Sequence, residues 1–200
     1  MVQVKKARKV EALAGKTVSK TALEKKRELA ARSFARRWNR VLPLDEMLLD
    51  RWNKARLLGF GAGSSVYEHS FVYGKPRVGR NVWIGPFTLI DASGGLEIGD
   101  GCDVSSGAQI LSHSTHLRCV SARRAETVKK PTKIGRCTFI GTNAVVLPGS
   151  RIGDHCVIAA GAVVNGVIPS FSVAAGVPAR VVGRVVLTRD GAKLVYKTKK

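Results

Sequence analysis

Between Ile134 and Val164 an aliphatic side chain returns at every sixth position: Ile134, Ile140, Val146, Ile152, Ile158 and Val164. Four places after each of the first five stands a small or hydroxyl residue (Thr138, Ala144, Ser150, Cys156, Ala162), and glycine directly follows Ile134, Ile140 and Ile152. A period of six fits neither a helix of about 3.6 residues per turn nor the alternation of a lone strand. It fits a β-solenoid in which each hexad makes one short strand and one corner, so that stacked coils bury a column of aliphatics. The register runs backward through Phe60, Val66, Val72, Val78, Ile84 and Ile90, skips two residues, and resumes at Ile98, Val104 and Ile110. Three hexads close a triangular coil, which predicts five coils starting at residues 60, 78, 98, 134 and 152. A chance run of β-branched residues in a sandwich would not keep phase across two interruptions.

Outside the repeat the chain changes character. Residues 1–40 hold 13 Lys or Arg against three Glu, half of the net charge of +20 in a fifth of the chain. From Thr21 to Val41 the stripe Leu23, Ala30, Phe34, Trp38, Val41 predicts an amphipathic helix ended by Pro43. A second helix is expected from an Asp45 N-cap to Gly59, burying Leu48, Trp52 and Ala55 and covering the open first coil. After the repeat, residues 184–199 read as two strands joined at Asp190-Gly191, followed by a solvated tail. The division is thus 1–59 basic helical region, 60–182 solenoid with an excursion at 111–133, and 183–200 hairpin and tail. No apolar run is long enough for a bilayer and MVQVKKARKV lacks the apolar core of a signal peptide, which predicts a cytoplasmic protein. The four cysteines have no framework spacing and are expected as buried or corner thiols.

Both interruptions follow the third hexad of a coil and so fall on one corner. Two extra residues follow Ile90 in Asp-Ala-Ser-Gly-Gly, and the excursion to Lys133 follows Ile110 in Leu-Ser-His-Ser-Thr-His. Stacking aligns Lys75, Asp91 to Gly95, His113, the excursion, Pro148 and Asn165 on one edge. A long loop leaving a rigid scaffold beside a histidine is the expected site. His69 and His155 stand on the other two edges, where an exposed turn histidine is the expectation. Asp91 orients an acceptor, orients the histidine, or forms a turn before Gly94-Gly95.

These hexads, with the closing segment IPSFSVAAGVPARVV (Ile168 to Val182), resemble the hexapeptide-repeat acyltransferases over Phe60 to Val182. The resemblance implies a left-handed parallel β-helix, an all-β solenoid of about five coils, here with N-terminal α-helices and a C-terminal β-hairpin. It implies acetyl-CoA as co-substrate, no metal, and a homotrimer whose neighbouring subunits share the site. The family's general base is a histidine just after the last hexad before the long loop. A subgroup places it three residues past the aliphatic, as His113 stands to Ile110; His116 is the second candidate. Asp91 and Ser93 are the acceptor-side candidates. Thr142, Ala159, Ala160 and Asn165 would line the pantetheine arm, with Arg180 facing the nucleotide phosphates; Thr142 and Ala160 also suit plain corner packing. The chain departs from galactoside-acetylating members, which usually carry Asn at the place of Gly85 and Asp at that of Ser93. The family's common Lys is replaced by Gly166, so that phosphate contact is either missing or supplied by Arg184.

The expected reaction is O-acetylation of a sugar of a surface polysaccharide or lipopolysaccharide, with N-acetylation of an amino or nucleotide sugar as the alternative. A cysteine route through Cys119, which lies among Arg118, Arg123 and Arg124, is the less simple mechanism. A zinc site like that of the γ-class carbonic anhydrases needs two histidines five apart on one coil; His113 and His116 are three apart, and His69 is on another edge. A non-enzymatic nucleic-acid-binding reading would rest on the basic arm alone, without motif or aromatic platform, so no specific nucleic acid is expected. The same arm suits peripheral contact with an anionic inner membrane surface through residues 1–40, or a structural cap in which Phe34 and Trp38 pack on the β-helix with the charges solvated or meeting acidic coenzyme and substrate.

Overall fold

The computed structural model describes residues 21–197. The first half of the basic arm and the end of the C-terminal tail lie outside the described residues. The chain divides into two compact units, Met1–Leu48 and Leu49–Lys200.

In the first unit, helix α1 spans Ala22–Trp38. Thr21 caps it: its side chain accepts from the Glu24 N–H, and the Glu24 carboxylate accepts from the Thr21 N–H. The stop is Asn39, in the left-handed conformation at φ 49°, rather than Pro43; an Asn tolerates that conformation, so the helix ends before the proline is reached. None of its residues is buried, and Leu23, Leu29 and Trp38 are exposed. The second expected helix is two helices, α2 at Leu44–Leu48 and α3 at Arg51–Leu57. Asp50 breaks them by accepting from the Trp52 N–H and starting a new helix. Of the three residues expected to be buried, Leu48 and Trp52 are exposed and only Ala55 is in the core.

The second unit is the solenoid. Its three parallel sheets keep the hexad register: Val66, Ile84, Val104, Ile140, Ile158 and Ala174 stack in the first, Val72, Ile90, Ile110, Val146 and Val164 in the second, and Val78, Ile98, Ile134, Ile152 and Ile168 in the third. Nearly all of these side chains are fully buried. The small residues four places on turn the corners. Thr138 Oγ1 donates to the Gly153 carbonyl at 2.9 Å, and Cys102 and Cys156 make the same contact with Sγ to Gly135 O and Pro169 O at 3.0 and 3.1 Å. Burial pushes Cys102 up to about 11 and raises Cys156, so both remain thiols. Cys119 and Cys137 are exposed, and all four are free.

Five coils are followed by a sixth, incomplete turn, Val167–Ile168 and Ser172–Ala175. Strand Arg180–Thr188 then pairs antiparallel with Ser172–Ala175 and with Gly191–Tyr196. The hairpin loop is Arg189-Asp190, one residue earlier than expected, because Gly191 is already paired with Thr188. At the opposite end, α3 covers the first coil: Lys54 Nζ donates to the carbonyls of Tyr67, Glu68 and Ser70 at 2.8, 2.8 and 3.2 Å. The first coil has no preceding strand to satisfy those groups.

Candidate active site

The edge between the second and third sheets gathers the irregular segments, as the period predicts. Strand Leu89–Asp91 lies on Phe71–Tyr73 below and Gln109–Ile110 above, so Asp91 reaches the corner as the last residue of its strand. The two residues inserted after it curl back over the next coil. Gly94 has to be glycine: a Cβ would stand 2.1 Å from the Ser112 carbonyl oxygen, and its N–H donates to Ser112 Oγ at 2.8 Å. The insertion thereby presses against the segment that carries the histidine.

Asp91 is 1% exposed, and donors occupy both carboxylate oxygens. Oδ1 accepts from the Ser93 N–H and hydroxyl at 3.1 and 2.6 Å. Oδ2 accepts from the N–H groups of Ser112 and His113 at 3.0 and 3.1 Å, from Ser112 Oγ at 3.3 Å, and from His113 Nδ1 at 2.6 Å. Burial alone would raise this carboxyl, but the hydrogen bonds from Ser93, His113 and Ser112 outweigh it and hold Asp91 well below the usual carboxylate range. The carboxylate is ionised at neutral pH and fixes the proton of His113 on Nδ1. The His113 side chain is about a third exposed.

Of the readings open for Asp91, two are met at once: Oδ1 caps the turn through the Ser93 N–H, and Oδ2 meets the histidine. A carboxylate this buried, with both oxygens engaged, does not face an acceptor. Ser93 is exposed, but its hydroxyl is committed to Asp91. His116 opens a short helix, α4 at His116–Val120; its Nδ1 meets Ser114 Oγ at 2.8 Å and no carboxylate. His69 and His155 are half-buried rather than exposed, because each ring packs on an aromatic of the next coil, Phe87 at 5.5 Å and Phe171 at 5.0 Å.

Thr142 and Ala160 are exposed on the corner between the first and second sheets, with the Gly161 N–H bonded to the Thr142 carbonyl. Ala159, beside them, donates its N–H to Ala174 O. Asn165 is exposed on the histidine edge, and Arg180 is exposed at the start of the hairpin. The residues expected along one coenzyme groove therefore lie on two different corners of a single chain. Among the described residues no group of three or more His, Cys, Asp and Glu could hold a metal, and no helix is long and apolar enough to cross a membrane.

Two features escaped the sequence. Ser112, fully buried, joins Asp91 to the Gly94 turn, yet a serine off the period carries no signal. The excursion is a ribbon in which His113–Ser114 pairs antiparallel with Val128–Lys129, setting Lys129 opposite His113. That pairing is long-range and outside the hexad rule.

A triangular parallel solenoid with a carboxylate-held histidine at its interrupted edge is the architecture of the left-handed β-helix proteins. Residues 131–166 match the family described as bacterial transferase hexapeptide (six repeats), and the resemblance to hexapeptide-repeat acyltransferases holds. Over 141 residues the chain is 30% identical to "Probable acetyltransferase Rv3034c" of Mycobacterium tuberculosis (strain ATCC 25618 / H37Rv), covering 70% of this chain and 44% of that protein. It is 32% identical to the galactoside O-acetyltransferase of Escherichia coli (strain K12) over 135 residues, 56% of this chain and 65% of that one. The chain thus spans less than two thirds of these relatives' length. Among solved structures, a hexapeptide-repeat-containing acetyltransferase from Vibrio cholerae aligns with TM-score 0.53 and 26% identity, covering 82% of this chain and 92% of that one. A maltose O-acetyltransferase from Clostridium difficile 630 aligns with TM-score 0.51 and 27% identity over 82% and 89%.

Proposed function

We propose that the protein is an acetyl-CoA-dependent acetyltransferase acting on a hydroxyl of a sugar-like acceptor, with His113 as general base. The observation that carries this reading is the 2.6 Å contact between His113 Nδ1 and a buried, ionised Asp91. With Nδ1 engaged there, Nε2 is the ring nitrogen left to act as the base. Nε2 takes the acceptor proton as the acceptor oxygen forms its bond to the acetyl carbonyl carbon; the carbon–sulfur bond then breaks, and the proton passes to the departing thiolate. Asp91 balances the imidazolium in between and keeps the ring from turning. Thr142, Ala159, Ala160, Asn165 and Arg180 are proposed to hold the coenzyme A arm. Their division between two corners fits a groove shared by neighbouring subunits, hence a homotrimer.

Acetylation at nitrogen is the second reading, because similar proteins include a tetrahydropyridine-dicarboxylate N-acetyltransferase of Staphylococcus aureus, 40% identical over 63 residues. A lipid-linked or polysaccharide acceptor and a peripheral membrane position belong to the same proposal, through α1 and the basic residues before it. The test is thiol release from acetyl-CoA with a panel of sugars and amino sugars. His113→Ala should cut turnover by about 100-fold or more while coenzyme A binding persists, and His116→Ala should do less. The reverse ranking would move the base to His116. If neither matters, Cys119→Ser becomes the informative variant.

A further inference from the structure

The edge that carries His113 gathers positive charge left unmatched. On the edge between the third and first sheets, each cation meets a carboxylate one coil away, Arg80 with Asp100 at 3.1 Å and Arg136 with Asp154 at 3.3 Å. On the outer row of the third sheet Glu97 lies between Arg77 and Lys133 and pairs with both. By contrast Lys75, Arg118, Arg123, Arg124, Lys129 and Lys130 take part in no ion pair among the described residues, and the excursion's single carboxylate is Glu126. Arg151, Arg180 and Arg184 also take part in no ion pair among the described residues; what sets this group apart is its place around the histidine.

Within this group Lys129 has a defined place. It is the cross-strand partner of His113, and the adjacent pair is bonded through the Lys130 N–H to the Ser112 carbonyl at 2.9 Å. His113 and Lys129 are therefore the non-hydrogen-bonded pair of the ribbon. Side chains of such a pair rise from the same face with Cα atoms about 4.5 Å apart, the closest approach an antiparallel ladder offers. The exposed Lys129 thus rises beside the imidazole whose Nδ1 is held by Asp91.

We propose that the acceptor is anionic, a sugar or sugar-like molecule bearing a phosphate or carboxylate. Lys129 holds that charge, seconded by the other cations of the excursion, while His113 Nε2 faces the group to be acetylated. The inference rests on the acetyltransferase reading. The phosphates of coenzyme A are a weaker claimant on Lys129. With the thioester at His113 they lie at the far end of the pantetheine arm, so a cation paired with the base belongs to the acceptor end. A charge-assisted contact also gives selectivity that a neutral hydroxyl pocket lacks, because the ammonium loses hydration on binding a neutral sugar and regains nothing.

The experiment compares matched acceptors at fixed ionic strength: glucosamine with glucosamine 6-phosphate, and galactose with galacturonate. The wild type should prefer the charged member by about tenfold or more in kcat/KM, and Lys129→Gln should remove about tenfold of that preference, through KM. Lys129→Arg should restore it. Equal use of both members by the wild type overturns the proposal, as does a rise in the KM for acetyl-CoA as large as that for the charged acceptor. Calorimetric titration of the same four ligands separates this from failure of the acetyltransferase reading. If no thiol is released but a charged sugar binds more tightly to wild type than to Lys129→Gln, the site stands and the reaction is wrong. If neither charged sugar binds, the anionic site is wrong.

Discussion

Asp91 shows how a single side chain ties stability to chemistry. Its folded carboxyl lies below the usual range, so it stabilises the native state above pH about 4 and loses that contribution as pH falls further toward its folded value. Asp91→Asn keeps the shape but gives up the ionic acceptor of His113 and Ser112. It should cost about 2 kcal/mol at pH 7, and the gap to wild type in chemical denaturation should narrow toward pH 3. A gap that stays constant down to pH 3 would mean that folding does not lower the pKa of this carboxyl. The same variant should lower acetyl transfer more steeply than stability, since the ring would lose the partner that fixes its tautomer. The buried cysteines act as hydroxyl substitutes: Cys102 and Cys156 sit where Thr138 and Ser150 do elsewhere and donate to the next coil's carbonyls.

Among the elements, α3 and α1 present opposite cases. Helix α3 closes the first coil by bringing one ammonium to three carbonyls. Lys54→Met, which keeps the stem and removes the charge, should destabilise by about 2 kcal/mol and raise hydrogen exchange chiefly around residues 65–73. Uniform exchange across all coils would show that α3 is not a local cap. Helix α1 buries no residue and turns Leu23, Leu29 and Trp38 outward among basic side chains. That exposure favours an interfacial role, where each basic residue near an anionic surface adds about 1 kcal/mol. The full chain should sediment with phosphatidylglycerol vesicles at low salt and release as salt rises, and a chain lacking residues 1–40 should stay in the supernatant. Equal recovery of both in the supernatant would remove the membrane from the proposal.

For the molecule as a whole, the outer faces of the solenoid differ. The third sheet shows a ladder of charge in Arg77, Glu97, Lys133 and Arg151, whereas the second shows Phe71, Leu89, Gln109, Val145 and Val163. An apolar flank beside the histidine edge fits association through that side, with the charged flank left to water. Sedimentation equilibrium at micromolar concentration should give about three times the chain mass, and Val145→Glu should shift it toward the monomer. A monomeric wild type would require the whole coenzyme groove to be found within one chain.

Periodicity by itself determined the sheets, the columns and the edge. Six residues per strand and corner leave no freedom in which side chains point inward, so Ile84, Ile140 and Val164 were assigned to the core, and both insertions to one corner, without coordinates. Periodicity also put His113 on that corner, since the regular coil ends three residues before it, while the role expected of it came from the resemblance to the acyltransferase family. Local signals at the helix ends were less decisive: the Asp50 cap and the left-handed Asn39 each overrode a boundary drawn from Asp45 or Pro43. Only the tertiary structure decided that Asp91 belongs to His113, that Ser112 and Gly94 lock the two together, and that Lys129 stands opposite His113. Those contacts join residues 16 to 22 positions apart in the chain. They meet through the stacking of coils and the folding back of a loop that obeys no repeat, and hydrogen-bond partners chosen in that way have no local pattern to betray them.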